Sequence, residues 1–437
     1  MHSLPQGPDG GPSSTSLLAH IKTVGDPLRG SLAGQQIEAL TALLIRAIQD
    51  GGTCHGALYE LNDPELIGLL DTPNRISLVL SNAGEGVDGD DTNRDARARL
   101  HGDGIDVTDR MFKSGHIGHN KFVVYTPPGD TPNEVLTGST NWTYTGVCAQ
   151  SNNALHITDK RLAKTYKAYW DLLQSQSPQN AKATQTAEMR TGDRKPHNFT
   201  IDKAKVQLWF SPNTDLQNKP PGPDAPRPVD IAEVYNRIAA AKKGIFFLLF
   251  QPGSPSVLDA IIAAQNINQE LFIRGAATDP QAIGDFETRL IQRPGDPMAR
   301  VAAAAAFGGK KGTADDQFAF WEKELLKSSP EAHAIIHDKI VVIDPMSDTD
   351  CVVITGSHNL GYRASYNNDE NLLIVKGHRK LAEAYVVHVM DVYDHYRWRW
   401  LRQEHGNNAF QGLKRTPDAW QGKYFSTLQR EIAFWMG

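Results

Sequence analysis

The chain has 437 residues, of which 40% are hydrophobic and 22% charged, and its formal net charge at pH 7 is −5. This length accommodates two or three domains, and the composition is ordinary for a soluble globular protein. No stretch approaches the roughly 18 consecutive apolar residues of a membrane-spanning helix, so an integral membrane protein is excluded. The acidic balance also gives no global electrostatic attraction for nucleic acid.

The amino terminus and the cysteines indicate where the protein resides. Residues 1–16 lack the basic start and apolar core of a secretory signal, so we expect a cytoplasmic protein, or a secreted one if a signal has been removed. Any disulfide scheme leaves one of the three cysteines unpaired, and their spacing is not that of metal ligands. A reducing compartment is favoured. We interpret these cysteines as small core residues: Cys54, Cys148 and Cys351.

The first part of the chain predicts an α/β domain. Residues 1–30 are rich in Gly, Pro and Ser, which indicates a flexible tail. The acidic loop over 84–95 lacks the pattern of a calcium-binding loop, so a solvated loop is favoured over a calcium site. Helices that alternate with strands argue for a sheet covered by helices: a helix over 35–49, a strand over 53–61, a short helix from 62–64 and a strand over 75–80.

A basic motif then begins an apolar strand over 122–125. His119 and Lys121 are two residues apart, which places both side chains on one face of an extended chain. Ser139 and Asn141 follow in a Gly-Ser turn. Two cations that point the same way are suited to binding an anion.

The same pattern recurs at an offset of 218 residues. His337 and Lys339 precede one apolar strand, and Ser357 and Asn359 follow the next. A single His-x-Lys would be weak evidence, because short motifs often match by chance. The two copies share 15 of 39 positions without a gap, over residues 119–157 and 337–375.

The remaining segments repeat the order of the first half and end in aromatic helices. Residues 301–312 indicate a surface loop or, alternatively, a mobile rim of the site. Aromatic stripes over 381–401 and 424–435 are typical of core helices, with an interface or lipid contact as the alternative. Between the motifs we expect a helix over 160–173, a polar stretch over 174–203, a strand over 206–212, a helix over 231–242, a strand over 244–250, a helix over 257–265 and a strand over 270–274.

The doubled pattern, His-x-Lys-x4-Asp followed by Gly-Ser-x-Asn, resembles the phospholipase D superfamily. In that superfamily two halves pair their motifs into one phosphodiesterase site. The first copy departs from the pattern, because Thr126 stands where the motif Asp is expected and Asn152 stands opposite Glu370. Both changes remove a carboxylate, so we do not expect the two histidines to be equivalent.

The resemblance implies an α/β fold with two phospholipase D-like α/β/α repeats. A pseudo-twofold axis would relate the repeats, and helices would cover a mixed central sheet in each. The implied organisation is a flexible tail over 1–30, a first half over 31–180, a linker over 181–203 and a second half with carboxyl-terminal helices over 204–437.

The resemblance also implies a reaction that needs neither a cofactor nor a metal ion. One imidazole would attack phosphorus while the other protonates the leaving oxygen, and lysines and asparagines would stabilise the negative transition state. We expect Asp344 to be a structural anchor, and His116, His333 and His358 to be ordinary structural histidines. The expected catalytic residues are His119, Lys121, Asn141, His337, Lys339 and Asn359, with Ser139, Ser357, Asp344 and Glu370 in support.

The two histidines are expected to take different roles. The superfamily tends to use the first-half histidine as the nucleophile, which is His119 in this chain. A carboxylate at the far ring nitrogen stabilises a cationic imidazole, and we expect Glu370 to do this for His337, with Asn152 beside His119. This asymmetry predicts attack by His119 and proton handling by His337.

Three functions are compatible with these residues. The leading hypothesis is a phosphodiesterase that acts on phospholipid headgroup esters at a membrane surface, by hydrolysis or by transfer to an alcohol. A nuclease of the same superfamily is the alternative and would need a local basic groove. A degenerate site in a binding protein is disfavoured, because both His, both Lys and both Asn are present. We expect a monomer without a transmembrane segment.

Overall fold

A computed structural model describes residues 14–84, 89–113, 115–179, 181–220, 225–279, 287–291, 299–301, 336–405, 421–425 and 429–436. The helices are α1 Ser14–Lys22, α2 Pro27–Asp50, α3 Pro64–Leu70, α4 Arg94–Gly102, α5 Tyr144–Cys148, α6 Lys160–Ser175, α7 Ala187–Gly192, α8 Val229–Ala239, α9 Val257–Ile267, α10 Tyr362–Asn367, α11 Arg379–His405 and α12 Gln429–Met436. The strands are β1 Thr53–Leu58, β2 Ile76–Ser81, β3 Asp106–Arg110, β4 Ile117–Gly118, β5 Lys121–Thr126, β6 Glu134–Gly138, β7 Ala154–Thr158, β8 His197–Ile201, β9 Ala204–Ser211, β10 Gly244–Phe250, β11 Phe272–Asp279, β12 Glu287–Ile291, β13 Ala299–Val301, β14 Lys339–Ile343, β15 Val352–Gly356 and β16 Asn368–Lys376.

Two mixed sheets with the same central order organise the described part of the chain. The first has the order β3-β2-β1-β5-β6-β7. The second has the order β13-β12-β11-β10-β14-β15-β16-β9-β8, and the short β4 also pairs with β16. The run β2-β1-β5-β6-β7 therefore corresponds to β11-β10-β14-β15-β16. The first pair in each run is parallel and the next three pairs are antiparallel, so the internal repeat extends to the topology.

Helices cover both faces of each sheet. The first sheet is packed by α2 on one face, where Leu44 and Val123 share a core, and by α6 on the other, where Tyr166 and Val124 share another. The second sheet is packed by α8 and α9 on one face and by α11 on the other. These layers confirm the expected α/β/α architecture.

Helix α6 lies at the junction of the halves. Its start is fixed by Asp159, whose carboxylate accepts hydrogen bonds from the first turn. Its apolar spacing then buries Tyr166 and Tyr169, and Tyr169 stacks on Phe210 of β9 with ring centroids 3.8 Å apart. A single core consequently includes residues of both sheets.

Equivalent residues of the two halves exchange hydrogen bonds. Thr137 Oγ1 donates to Asn371 Oδ1 over 2.8 Å, and Asn153 Nδ2 donates to Thr355 Oγ1 over 2.9 Å. Residues 137 and 355 are separated by the repeat offset, as are residues 153 and 371. The repeat therefore relates one bond to the other, as a pseudo-twofold axis between the halves requires.

A buried ion pair also joins the halves. Arg110, the last residue of β3, places Nε 2.5 Å from Asp369 Oδ2, and both side chains are almost fully buried. The guanidinium additionally donates to the carbonyls of Leu173, in the last turn of α6, and Gln176, just beyond its end. These bonds satisfy the charges, as burial of an ion pair demands.

Part of the predicted flexible tail is helical. The composition of residues 1–30 predicts a mobile segment, but residues 14–30 form α1 and the beginning of α2, with Leu17 and Ile21 buried. Arg29 is also buried and pairs with Asp63 over 2.9 Å. The prediction fails because these tertiary contacts outweigh the local Gly and Pro content.

Two other segments differ from expectation. The linker over 181–203 contains α7 and β8, and β8 adds an edge strand to the second sheet. In the acidic loop, Asp90 is buried and pairs with Arg97 over 2.8 Å. Residues 302–312 of the proposed rim and His333 lie outside the described residues.

No helix among the described residues combines the length and apolarity that crossing a bilayer requires.

Candidate active site

The two His-x-Lys motifs lie at equivalent strand starts, and each is held by the opposite half. The backbone N–H of His119 donates to the carbonyl of Asp369 over 2.9 Å. The backbone N–H of His337 donates to the carbonyl of Ser151 over 3.0 Å. The reciprocal hydrogen bonding between the halves therefore includes both motifs.

Glu370 contacts His119, so the prediction that it supports His337 is wrong. His119 Nδ1 lies 2.9 Å from Glu370 Oε2, and both side chains are buried. Glu370 reaches His119 because β16 of the second half runs beside the residues that precede β5 of the first half. Burial acts to raise the pKa of Glu370, but the contacts with His119 and the charge of Lys121 together contribute to a pKa below the usual value.

Asn152 correspondingly contacts His337, so the prediction that it lies beside His119 is also wrong. His337 Nδ1 lies 2.9 Å from Asn152 Oδ1. Asn152 Nδ2 donates to the carbonyl of Gly146 over 2.9 Å. Because a carbonyl only accepts, the amide nitrogen faces Gly146 and the amide oxygen faces the ring. His337 therefore donates from Nδ1 and keeps the lone pair on Nε2 when neutral.

The serines of the Gly-Ser turns orient these two supporting groups. Ser357 Oγ donates to Glu370 Oε2 over 2.7 Å, and Ser139 Oγ donates to Asn152 Oδ1 over 2.9 Å. Each serine thus belongs to a three-residue chain of hydrogen bonds that ends on a histidine of the other half. Both serines are fully buried.

Burial determines the protonation of the two imidazoles. It lowers the pKa of His119 to about 4, although the Glu370 carboxylate acts in the opposite direction. It also lowers the pKa of His337 well below the usual value, and the charges of Lys339 and Lys121 lower it further. At pH 7 both rings are therefore neutral, and each presents an unprotonated Nε2. The hydrogen bonds that tie each motif to the opposite half bring both motifs to the junction between the halves.

Each lysine lies against its own motif and an aromatic ring. Lys121 Nζ donates to the carbonyl of His119 over 2.7 Å, and Lys339 Nζ donates to the carbonyl of His337 over 2.6 Å. Burial lowers the pKa of Lys121 to about 7 despite two nearby carboxylates, and burial lowers the pKa of Lys339 well below its usual value. The site therefore holds two poorly solvated lysine amines, whose cationic form a bound anion favours.

Two aromatic residues that sequence reasoning missed support the motifs. Tyr59 lies edge-on to His119 with ring centroids 4.9 Å apart, and Lys121 Nζ is 5.0 Å from the Tyr59 centroid. Phe250 occupies the corresponding place, 4.5 Å from the His337 ring and 4.8 Å from Lys339 Nζ. Both follow or end the strand beside the motif strand, at positions that the strand pairings make equivalent.

The two asparagines have different surroundings. Asn141 Nδ2 donates to the Glu60 carboxylate, a residue that no motif includes. The Asn359 side chain is partly exposed, and no hydrogen bond of its amide nitrogen occurs within the described ranges. Asn359 is therefore the asparagine with a donor available to a ligand.

Asp344 holds a turn at the far end of β14. Its carboxylate accepts hydrogen bonds from the backbone N–H groups of Lys242, Lys243 and Gly244 over 2.7–2.9 Å. In the first half, Asp50 accepts the N–H of Gly52 before β1 over 2.8 Å. A carboxylate thus reaches the equivalent turn in both halves, which explains why Thr126 can replace the motif Asp.

Two other motif-neighbouring histidines make structural contacts. His116 Nδ1 lies 3.0 Å from the carbonyl of Asn367. His358 Nδ1 accepts the backbone N–H of Leu360 over 2.9 Å, so its Nε2 carries the proton and faces Ser365 Oγ at 3.0 Å. His358 therefore fixes the turn that carries Asn359.

No group of three or more His, Cys, Asp or Glu side chains in the described part of the chain is placed to hold a metal ion.

Comparisons with known proteins agree with the resemblance. Residues 234–390 match the family model described as "Cardiolipin synthase, PLD-like domain". This match confirms the phospholipase D resemblance for that part of the chain. No curated protein matches the sequence of the chain.

Several solved structures are similar at low identity. Phosphatidylserine synthase from Haemophilus influenzae Rd KW20 is 12% identical over 91% of this chain and 92% of its own, with a TM-score of 0.48. Polyphosphate kinase from Porphyromonas gingivalis is 13% identical over 77% of this chain, with a TM-score of 0.40, and the chain spans only 45% of that kinase. Nuc from Salmonella typhimurium, a phospholipase D family member, is 18% identical over 45% of this chain and 94% of its own, with a TM-score of 0.24.

Proposed function

We propose that this chain, which carries a phospholipase D-like domain over residues 234–390, is a phosphodiesterase that acts on phospholipid headgroup esters through a phosphohistidine at His119. It hydrolyses the ester or transfers the phosphatidyl group to an alcohol. The observation that carries this proposal is the buried contact of 2.9 Å between His119 Nδ1 and Glu370 Oε2.

In the first step, His119 Nε2 attacks phosphorus and the bond from phosphorus to the leaving oxygen breaks. The ring keeps its Nδ1 proton and becomes cationic as the P–N bond forms. Glu370 stabilises this developing charge, since its carboxylate already accepts the Nδ1–H.

His337 supplies the proton that the leaving oxygen needs. Its partner Asn152 is neutral and stabilises a cationic ring less than a carboxylate does. Protonated His337 is consequently the stronger acid of the two. The negative phosphodiester favours its protonation when substrate binds, and Nε2 then transfers the proton to the departing alkoxide.

The second step regenerates the enzyme. Neutral His337 removes a proton from water or an alcohol, whose oxygen attacks phosphorus as the P–N bond to His119 breaks. Lys121, Lys339 and the free amide of Asn359 stabilise the extra negative charge in both transition states. These three side chains therefore have the same role in both steps.

The substrate class depends on two observations. The matching family model is described as a cardiolipin synthase domain, which favours a phospholipid. The net charge of −5 provides no general attraction for nucleic acid. A nuclease with a local basic groove is the second candidate function.

Phospholipid vesicles and plasmid DNA, each with and without EDTA, test both candidates. We expect release of headgroup or exchange with an added alcohol in the presence of EDTA, and an intact plasmid. His119→Ala and His337→Ala should each abolish lipid turnover, and Lys121→Ala or Lys339→Ala should each reduce it about a hundredfold. Plasmid cleavage without lipid turnover would favour the nuclease, and an unaffected double histidine variant would exclude both functions.

A further inference from the structure

Glu60 is a carboxylate inside the candidate site that the mechanism above does not use. It lies two residues beyond Leu58, which pairs with Lys121 across β1 and β5. Its backbone carbonyl accepts the N–H of Trp142 over 3.0 Å, and its side chain accepts a hydrogen bond from Asn141 Nδ2. Both its backbone and its side chain are therefore tied to the turn that carries a motif asparagine.

The repeat gives this carboxylate no counterpart. Gly56 pairs with Val123, and Phe247 pairs with Val341. Because the two valines are separated by the repeat offset, Gly56 corresponds to Phe247. By the same count, Glu60 corresponds to Gln251. At this pair of equivalent positions, only the first half carries a carboxylate.

Glu60 lies in the field of both motif lysines. Burial raises its pKa, while the charges of Lys121 and Lys339 act in the opposite direction. When an anion holds both lysines protonated and the histidines are neutral, the two lysines balance the charges of ionised Glu60 and Glu370, and the site is formally neutral. If Glu60 were uncharged, the same site would carry one positive charge.

We propose that Glu60 is a specificity-determining residue that restricts the site to singly charged phosphodiesters. This inference depends on the proposed function, since it assumes that the lysines bind the phosphate of a diester. A phosphomonoester dianion brings twice the charge of a diester and is repelled correspondingly more by a nearby carboxylate. Glu60 also accepts the hydrogen bond of Asn141 Nδ2, a donor that would otherwise be available to the bound anion.

The geometry permits a purely structural role as well, in which Glu60 only holds Asn141. The two roles separate in the variant Glu60→Gln. A glutamine keeps an oxygen that accepts the Asn141 hydrogen bond but carries no charge. A structural role therefore leaves anion selectivity unchanged, whereas a charge-based role alters it.

The test measures binding of phenyl phosphate and diphenyl phosphate by calorimetry at pH 7, where a phosphomonoester is mostly a dianion, so that no turnover is needed. The full-length wild type should bind the diester more tightly than the monoester. Glu60→Gln should shift this ratio at least tenfold towards the monoester. If that variant does not fold, Glu60→Ala removes the same charge and should shift the ratio in the same direction.

Glu134→Gln is the matched control, because Glu134 is a buried carboxylate at the other end of β6 that pairs with Arg46 and His156. It should retain the wild-type ratio. If the wild type binds the diester and Glu60→Gln leaves the ratio of diester to monoester affinity unchanged, this inference is overturned and the proposed function is left intact. Failure of both anions to bind any of the proteins overturns the inference together with the proposed phosphate site.

Discussion

His119 Nδ1 and Glu370 Oε2 are 2.9 Å apart, although 251 residues separate them in the chain and they belong to opposite halves. Their contact pairs with a second one, in which Asn152 of the first half holds His337 of the second. The two imidazoles thus differ in the charge of their partners, which predicts different chemical roles.

The variant Glu370→Gln should slow formation of the phosphohistidine about a hundredfold, because a neutral amide stabilises the cationic ring less than a carboxylate does. The measurement is the single-turnover rate of leaving-group release from an activated diester. Glutamine retains an acceptor for His119 and Ser357, so the fold should persist. Glu134→Gln is the control and should react at the wild-type rate. An unaltered rate in Glu370→Gln would exclude charge stabilisation by this residue.

The variant Asn152→Asp should raise the pKa of His337, since a carboxylate favours the protonated ring. Proton loss from His337 then occurs at higher pH, and the alkaline limb of the kcat/KM profile should move upwards by about one unit or more. Asn198→Asp, on the exposed strand β8, should leave the profile unchanged. A shift towards lower pH would contradict this assignment of the acid.

A leaving group of low pKa should distinguish the two histidines directly. Its oxygen departs without a proton, so His337→Ala should retain a burst of release, whereas His119→Ala should lose it. Trapped protein from the His337 variant should carry phosphate at residue 119. Label at residue 337 in the His119 variant would reverse the roles.

Removal of the buried ion pair between the halves should destabilise the protein. Arg110→Met leaves Asp369 buried without its cation, which costs about 3–5 kcal/mol of unfolding free energy. Lys160→Met removes an exposed partner of Asp130 and should cost less than about 1 kcal/mol. Denaturant unfolding of both variants measures the difference. Equal losses would show that the buried pair contributes no more than the exposed one.

The strands and motif residues of the site were predictable from the sequence, but the contacts between the two halves were not. Apolar runs beside the two motifs predict β5 and β14, and the repeat offset predicts that positions 152 and 370 are equivalent. Neither pattern states which histidine each position reaches, because that depends on how the halves pack. The predicted pairing was consequently reversed, although the structure offers a different reason for assigning attack to His119.

Other features escaped prediction because they depend on tertiary contacts. Glu60 and Tyr59 belong to no motif and lie far from the repeated segment, so only the pairing of β1 with β5 brings them to the site. Arg29 follows a stretch rich in Gly and Pro, yet its ion pair with Asp63 is buried. Local composition cannot report such long-range pairing.

The exchange of partners between halves has a consequence for how the two copies can differ. In a homodimer of identical repeats, each histidine would be completed by the neighbouring subunit, and any substitution would appear in both sites at once. A single chain that carries both copies is free of that constraint. One position can be Asn152 while its counterpart is Glu370, so the proposed division of roles between the imidazoles depends on the covalent linkage of the two halves.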